Sequence, residues 1–323
     1  MATLSAGPRP DRLISGFSAP MITIVLSDLA VVIVTYNSSR EIGDLLDSLP
    51  GALDGCTAEV VVVDNGSADG TADLVAARGD CRVVRSANVG YAAGINRGVR
   101  EAGPASAILV LNPDVRLSPH SVVPLVEALQ EPGTGIVVPQ LRSPDGTLEP
   151  SLRRTPTLLR AVGLEKTRLS AVSERIASPA EYTYPHVVDW AQGAVELISR
   201  ECFDKLGGWD ESFFLYSEET DFSLRARDLG LLTRYEPRSV AEHIGGASGR
   251  NDRTHAMQII NRVRLYRRRN SVLASWCYFW LTIASELTWV ARGHPQSRFA
   301  IRALLRPSLR PGELGCSDRR LPR

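Results

Sequence analysis

The sequence predicts an α/β fold, a mostly parallel sheet flanked on both faces by helices. Three observations predict it. Short β-branched runs, apolar on both faces, alternate with amphipathic helical segments from Leu29 to Val138. The runs end in polar tips such as Asn112-Pro-Asp114, where such sheets carry their ligand loops. The chain has 323 residues, 44% of them hydrophobic, enough to bury the core of one domain of about 250 residues plus an appendage.

The elements follow in order. Residues 1–27 hold Pro8, Pro10 and Pro20, and the apolar run Met21 to Leu26 is too short for a signal peptide, so a flexible leader is expected. The first strand, Ala30 to Thr35, ends in Tyr36-Asn37 and leads to a helix over 39–49. The second, Glu59 to Asp64, continues as Asn65-Gly66-Ser67, and Asp69-Gly70-Thr71 opens a helix over 71–78. A third strand, 82–85, precedes Asn88-Val-Gly90-Tyr91 and a helix over 91–102. The glycines here lack the spacing of a dinucleotide fingerprint or a Walker loop, so close helix packing is their commoner purpose; Arg97 is placed to neutralise phosphate.

The strand Ala107 to Leu111 delivers Asn112 and Asp114. A helix over 120–130 and a strand over 135–139 complete the regular half, and Pro144-Asp-Gly146 marks a turn. Residues 150–186, rich in Arg, Pro and Ser, have no clear period; a mobile substrate-facing segment is expected. Order resumes with a strand over 193–199, a helix from Glu201, the turn Gly207-Gly-Trp209-Asp210, and a helix from Glu218 to Asp228. His243 ends a last strand.

The tips carry the candidate chemistry. Thr35, Tyr36, Asn37, Asp64 and Asn65 belong to adjacent strand ends over one crevice, where they can bond a nucleotide base and ribose, although turn chemistry explains each tip separately. Asp114 can hold a divalent metal against a diphosphate. Glu218, Glu219 and Asp221 crowd the first turn of a helix that Ser217 is expected to cap. Charge on the helix dipole explains them; the aromatics before them point instead to a dry pocket and a general base of raised pKa. A lone His such as His243 is more often packing or surface than a ligand.

Net charge is +1, yet residues 255–323 carry thirteen Arg against Glu286, Glu313 and Asp318. Arg262, Arg264, Arg267, Arg268 and Arg269 precede an apolar, Trp-rich stretch over 271–291. Trp276, Trp280, Ile283 and Leu287 form one helical stripe and Ser275, Thr282 and Glu286 another. This predicts a helix lying on the cytoplasmic membrane surface with its arginines on anionic headgroups; the alternative is a helix packed on the body. The Trp-rich run argues against a nucleic-acid partner. Five scattered cysteines indicate neither a zinc site nor a disulfide framework.

The ordered motifs Val-Thr-Tyr36-Asn, Val-Asp64-Asn-Gly-Ser, Asn88-Val-Gly-Tyr, Asn112-Pro-Asp114, Gly207-Gly-Trp-Asp-Glu-Ser-Phe-Phe, Glu218-Glu-Thr-Asp221 and His243 resemble family 2 glycosyltransferases, most of all bacterial rhamnosyltransferase-like members acting on cell-envelope glycans. The resemblance implies a GT-A fold over 28–254, a helical extension over 255–323, and an inverting transfer from a dTDP- or UDP-sugar to a glycan or lipid-linked hydroxyl. It implies nucleoside or diphosphate contacts from Tyr36, Asp64 and Asn88, which with Thr35, Asn37, Asn65, Arg97 and Asn112 make the expected donor side. Asp114 and His243 would hold Mg²⁺ or Mn²⁺, Glu219 or its neighbour Glu218 would be the base, and Trp209, Asp210 and Asp221 would shape the acceptor side. Asn112 stands where the family's Asp-x-Asp has its first carboxylate, and Glu219 where Asp is frequent. A nucleotide-binding or scaffold protein without catalysis is therefore the alternative.

Overall fold

The computed structural model describes residues 28–162, 169, 171–245 and 251–322; the expected leader lies outside them. The first half is wound as β1 (Asp28–Thr35), α1 (Ile42–Ala52), β2 (Thr57–Asp64), α2 (Thr71–Arg78), β3 (Arg82–Arg85), α3 (Tyr91–Glu101), β4 (Ala107–Leu111), β5 (Val115–Leu117), α4 (Val122–Leu129) and β6 (Thr134–Arg142). Then come β7 (Leu148–Glu149), β8 (Leu152–Arg153), α5 (Leu158–Ala161), β9 (His186–Val188), β10 (Trp190–Ala191), β11 (Val195–Ser199), α6 (Arg200–Leu206), α7 (Glu218–Asp228) and β12 (Leu232–His243). Three helices close the chain: α8 (Asp252–Arg269), α9 (Val272–Ala291) and α10 (Gln296–Leu305).

The strand order is β3-β2-β1-β4-β11-β6-β12-β5. β1, β2, β3 and β4 pair parallel, and so do β6 and β12; β11 runs antiparallel between β4 and β6, and β5 antiparallel to β12. Pleat alternation divides β1 between two cores: Val32 and Val34 face one layer, Val31 and Ile33 the other. Because β1 and β2 are in register through Thr35↔Asp64, their polar ends fall side by side.

Glycines in α3 serve packing. A methyl on Gly98 would stand 2.4 Å from a Val32 methyl, and one on Gly94 would stand 2.8 Å from Val34. Gly90, with φ 103°, lets the backbone of Phe214 approach, and Tyr91 N donates to Phe214 O at 2.8 Å.

Two regions depart from expectation. The stretch 150–186 carries β8 and α5 and buries Leu152, Ile176 and Tyr182 in the main core, so its described part is built in rather than mobile. β12 is far longer than its final residues foretold. It contains Pro237, and the pairing with β6 jumps from Glu236↔Pro139 to Val240↔Gln140, an irregularity that accommodates the proline.

Four of the five arginines of the α8 run pair with the body. Arg262 pairs with Glu174 at 2.7 Å, Arg268 with Asp210 and Arg269 with Asp228, each at 2.5 Å, while Arg264 is buried and donates to Ser212 O. α8, α9 and α10 enclose a third core with α5, and α8 starts at Asp252, so the expected boundary at 254 falls inside its first turn.

Candidate active site

Asp64 is buried at the tip of β2, where Thr35 Oγ1 (3.0 Å), Ser67 N (3.0 Å) and Ser67 Oγ (2.5 Å) donate to it. Three of a carboxylate's four acceptor positions are thereby used, leaving one for a ligand. Asn37 adopts φ 53° and clamps the same loop, accepting from Ala68 N at 2.8 Å. Tyr36 is half exposed beside them, and Asn88 is exposed. Arg97 donates to Ser86 Oγ at 3.1 Å. Asn65 is buried; its Nδ2 donates to Gly90 O at 3.0 Å, tethering the loops, and its Oδ1 has no protein partner among the described residues.

At the end of β4, Tyr91 OH donates to Asn112 Oδ1 at 2.7 Å. Asp114 is buried with its Oδ1 3.6 Å from His243 Nε2, and His243 Nδ1 lies 2.9 Å from Glu149 Oε2. β5 pairs with β12 through Val115↔His243, which brings the two side chains to one point. Burial alone would lower His243, but Asp114 and Glu149 outweigh it and push the ring up to about 9. A carboxylate, an imidazole and a second carboxylate behind the imidazole make a donor set that fits a divalent metal. Among the described residues no cluster of three such groups forms a protein-only cage. Mg²⁺ or Mn²⁺ completed by diphosphate and water oxygens requires none.

The carboxylates of α7 separate by environment. Glu219 faces an open cleft that Arg153, Glu174, Trp190, Gln258 and Arg262 also line. Burial pushes Glu219 up to about 7, against backbone N–H groups and the Arg153 guanidinium. Glu218 is buried the other way with Oε2 unpartnered, and burial followed by the Glu219 charge holds it well above the carboxylate range. Gly193 makes room for this arrangement, since a methyl there would stand 3.1 Å from Glu219 Cβ.

Ser217 stands at the start of α7 but does not cap it by its side chain; it adopts φ 73°, following Tyr216 at φ 69°. Two consecutive non-glycine residues in the left-handed region are strained. Buried Asn261 on α8 holds them, donating to Leu215 O (2.9 Å) and Tyr216 O (3.1 Å), so the C-terminal helices brace the start of α7.

Three expected acceptor-side residues have structural partners instead. Trp209 is buried and stacked on Phe222 at 5.3 Å; Asp221 is buried and paired with Arg225 at 2.6 Å, which also holds Leu206 O and Gly208 O; Asp210 pairs with Arg268. Together they fix the Gly207–Ser212 turn. Sequence reading missed Tyr91, Glu149, Arg153 and Glu196. Glu196 sits on β11 between apolar neighbours, fully buried, with both oxygens unpartnered; burial and then Glu219 raise it well above the carboxylate range. A single acid inside an apolar strand was its signal; Glu149 had none.

A model of the Glycosyl transferase family 2 matches residues 30–179. An N-acetylglucosaminyl-diphospho-decaprenol L-rhamnosyltransferase of Mycobacterium tuberculosis (strain ATCC 25618 / H37Rv) is 31% identical over 250 residues, covering 70% of this chain and 80% of its own. Among solved structures, GalNAc-T7 with UDP, GalNAc and Mn²⁺ superposes with a TM-score of 0.57 at 19% identity. That match covers 75% of this chain and 48% of the GalNAc-T7 chain, so the protein spans about half of that neighbour. The mannosyltransferase PcManGT from Pyrobaculum calidifontis, in complex with GDP-Man and Mn²⁺, gives 0.54 at 17% identity, covering 90% of this chain and 83% of its own. At these identities the two structures bear on the fold alone.

Proposed function

Because this chain belongs to glycosyltransferase family 2 and is a GT-A glycosyltransferase using a nucleotide-sugar donor, we propose that it transfers rhamnose from dTDP-rhamnose. The acceptor is a hydroxyl of a polyprenyl-diphosphate-linked glycan at the inner face of the cell membrane. The sugar and acceptor follow the name of the mycobacterial relative. The observation that carries the chemistry is Glu219, a cleft-facing carboxylate with a pKa raised to about 7.

Asp64, with one acceptor position spare, and half-exposed Tyr36 receive the base and ribose, beside Thr35 and Asn37, which set the loop. Asp114 and His243 would hold Mg²⁺ or Mn²⁺, with Glu149 fixing the imidazole through Nδ1. When bound, the cation supplies charge compensation for the departing diphosphate. Glu219 takes the proton of the acceptor hydroxyl as that oxygen attacks the anomeric carbon from the side opposite the leaving group, which inverts the centre. Buried Glu218 is too enclosed for the same role, and no covalent nucleophile is needed.

The test is sugar transfer from a panel of dTDP-, UDP- and GDP-sugars to a polyprenyl-diphosphate-linked N-acetylglucosamine, with nucleotide binding followed by thermal shift. A nucleoside diphosphate at 100 times its dissociation constant should stabilise by about 2.7 kcal/mol. Transfer from dTDP-rhamnose that disappears in Glu219→Gln supports the reading. Nucleotide binding with no transfer from any donor favours the non-catalytic alternative, to which Asn112 in place of a carboxylate points.

A further inference from the structure

α9 buries Tyr278, Phe279 and Ile283 in the third core, and Trp276 packs against it. Its polar stripe faces the protein: Ser275, Thr282 and Glu286 are buried, Ser275 donating to Ser271 O at 2.7 Å, Thr282 to Tyr278 O at 2.8 Å, and Glu286 lying 2.9 Å from His255 Nε2. A second apolar line faces out. Leu273, Trp280 and Leu287, seven residues apart each time, are 77%, 56% and 54% exposed, and Val272, Leu305 and Leu309 add exposed apolar surface nearby. α9 thus carries apolar surface beyond what its packing uses, and three large side chains held out in one line suit a second apolar phase.

Charge identifies that phase. Between residues 271 and 312 the only acid is Glu286, which is buried and turned inward, against Arg292, Arg298, Arg302, Arg306 and Arg310. Arg310 is consumed by buried carbonyls, including Ala303 O and Cys316 O. Arg292, Arg298, Arg302 and Arg306 are exposed and form no ion pair among the described residues. We propose that the outer face of α9, together with the exposed arginines that follow it in the chain, is the surface by which the protein lies on an anionic lipid bilayer. The inference rests on the membrane-side location proposed above and gives it a face, one that differs from the arginine run of α8.

A second copy is the poorer occupant, because a two-fold contact through this basic face would set arginine against arginine. Exposed Trp280 suits the headgroup level, apolar Leu273 and Leu287 the acyl boundary, and arginine the lipid phosphates. Among the described residues no helix is long and apolar enough to cross a membrane, so the contact is one of lying on the surface.

The test is co-sedimentation of the full chain with phosphatidylglycerol-containing and pure phosphatidylcholine vesicles, without donor or acceptor. Binding to the anionic vesicles that weakens with salt is expected. It should fall by about tenfold or more in a Leu273→Ser/Trp280→Ser/Leu287→Ser variant and in an Arg298→Glu/Arg302→Glu variant. These side chains are exposed, and unchanged melting and nucleotide binding confirm that each variant folds. Absence of binding by the parent protein, or undiminished binding by the triple variant, overturns the proposal. So does a concentration-dependent dimer that the triple variant abolishes. Transfer to a water-soluble acceptor reports on the glycosyltransferase reading independently of any vesicle result.

Discussion

The Tyr91 hydroxyl donates a 2.7 Å hydrogen bond to Asn112 Oδ1, linking the start of α3 to the tip of β4. Burial, then the charges of Glu218, Glu196, Asp114 and Glu219, hold the phenol well above its ordinary range, so it remains a donor throughout the working pH range. Asn112 therefore acts here as a hydrogen-bond partner, where a carboxylate would add another negative charge to an acidic pocket. Tyr91→Phe should cost about 1 kcal/mol in stability through the unpaired amide oxygen. It should also weaken nucleotide binding as Asn112 loses its position. Denaturant midpoints and nucleotide-induced thermal shifts measure the two effects; a variant unchanged in both would remove Tyr91 from the site.

Glu219 sets a pH dependence for both rate and stability. Its folded-state value of about 7 exceeds the ordinary 4.5, so folding favours its protonated form. Its stabilising contribution is complete below the ordinary carboxylate range and is lost as pH rises through about 7. Activity runs the opposite way, because only the deprotonated form accepts the acceptor's proton. Sugar transfer, measured as kcat/KM, should rise toward a plateau above pH 7. Glu219→Gln should lose at least about a hundredfold in rate and gain stability at pH 8. A flat rate profile from pH 5.5 to 8.5 would remove Glu219 as the base.

Much of this was legible in the sequence for a physical reason. β-branched runs specify buried parallel strands, and such strands carry ligand loops at their ends, hence Asp64 and Asp114 were visible; Glu219 was visible as one of three acids crowding the first turn of a helix. What was illegible depends on pairing between distant segments. Glu149 meets His243 only because β7 pairs with β6 and β12 lies on the other side of β6. Trp209 and Asp221 look functional in sequence but are consumed by Phe222 and Arg225, and the arginines of α8 look like a lipid-facing run until Glu174, Asp210 and Asp228 arrive from elsewhere.

The Glu149 carboxylate behind His243 predicts a measurable contribution to metal affinity. It lies 2.9 Å from Nδ1 and so orients the ring to present Nε2 beside Asp114. Glu149→Gln keeps the shape but removes the charge. Mn²⁺ affinity in the presence of a nucleoside diphosphate, followed by titration calorimetry, should fall about tenfold to a hundredfold. The nucleotide's metal-independent binding should be unaffected. Equal Mn²⁺ affinity in the variant would mean that His243 is a packing residue held by two acids.

Glu196 separates a buried carboxyl from a catalytic one. It lies near Glu219, where a methyl on Gly193 would sit 3.7 Å from its Oε1, yet neither oxygen has a partner and no part of it reaches the cleft. Burial favours its neutral form, of which Gln is the closer mimic. Glu196→Gln should therefore retain most of the transfer rate and the same pH–rate profile. As pH rises past the ordinary carboxylate range the unfolded chain's carboxyl ionises while burial resists ionisation in the fold, so stability falls, whereas Gln has no proton to lose. The variant should thus melt higher than the parent at pH 9 and nearly equal to it at pH 5, the opposite of what removal of a stabilising charge would give. A rate loss matching that of Glu219→Gln would instead make Glu196 a working partner of the base, sharing its proton.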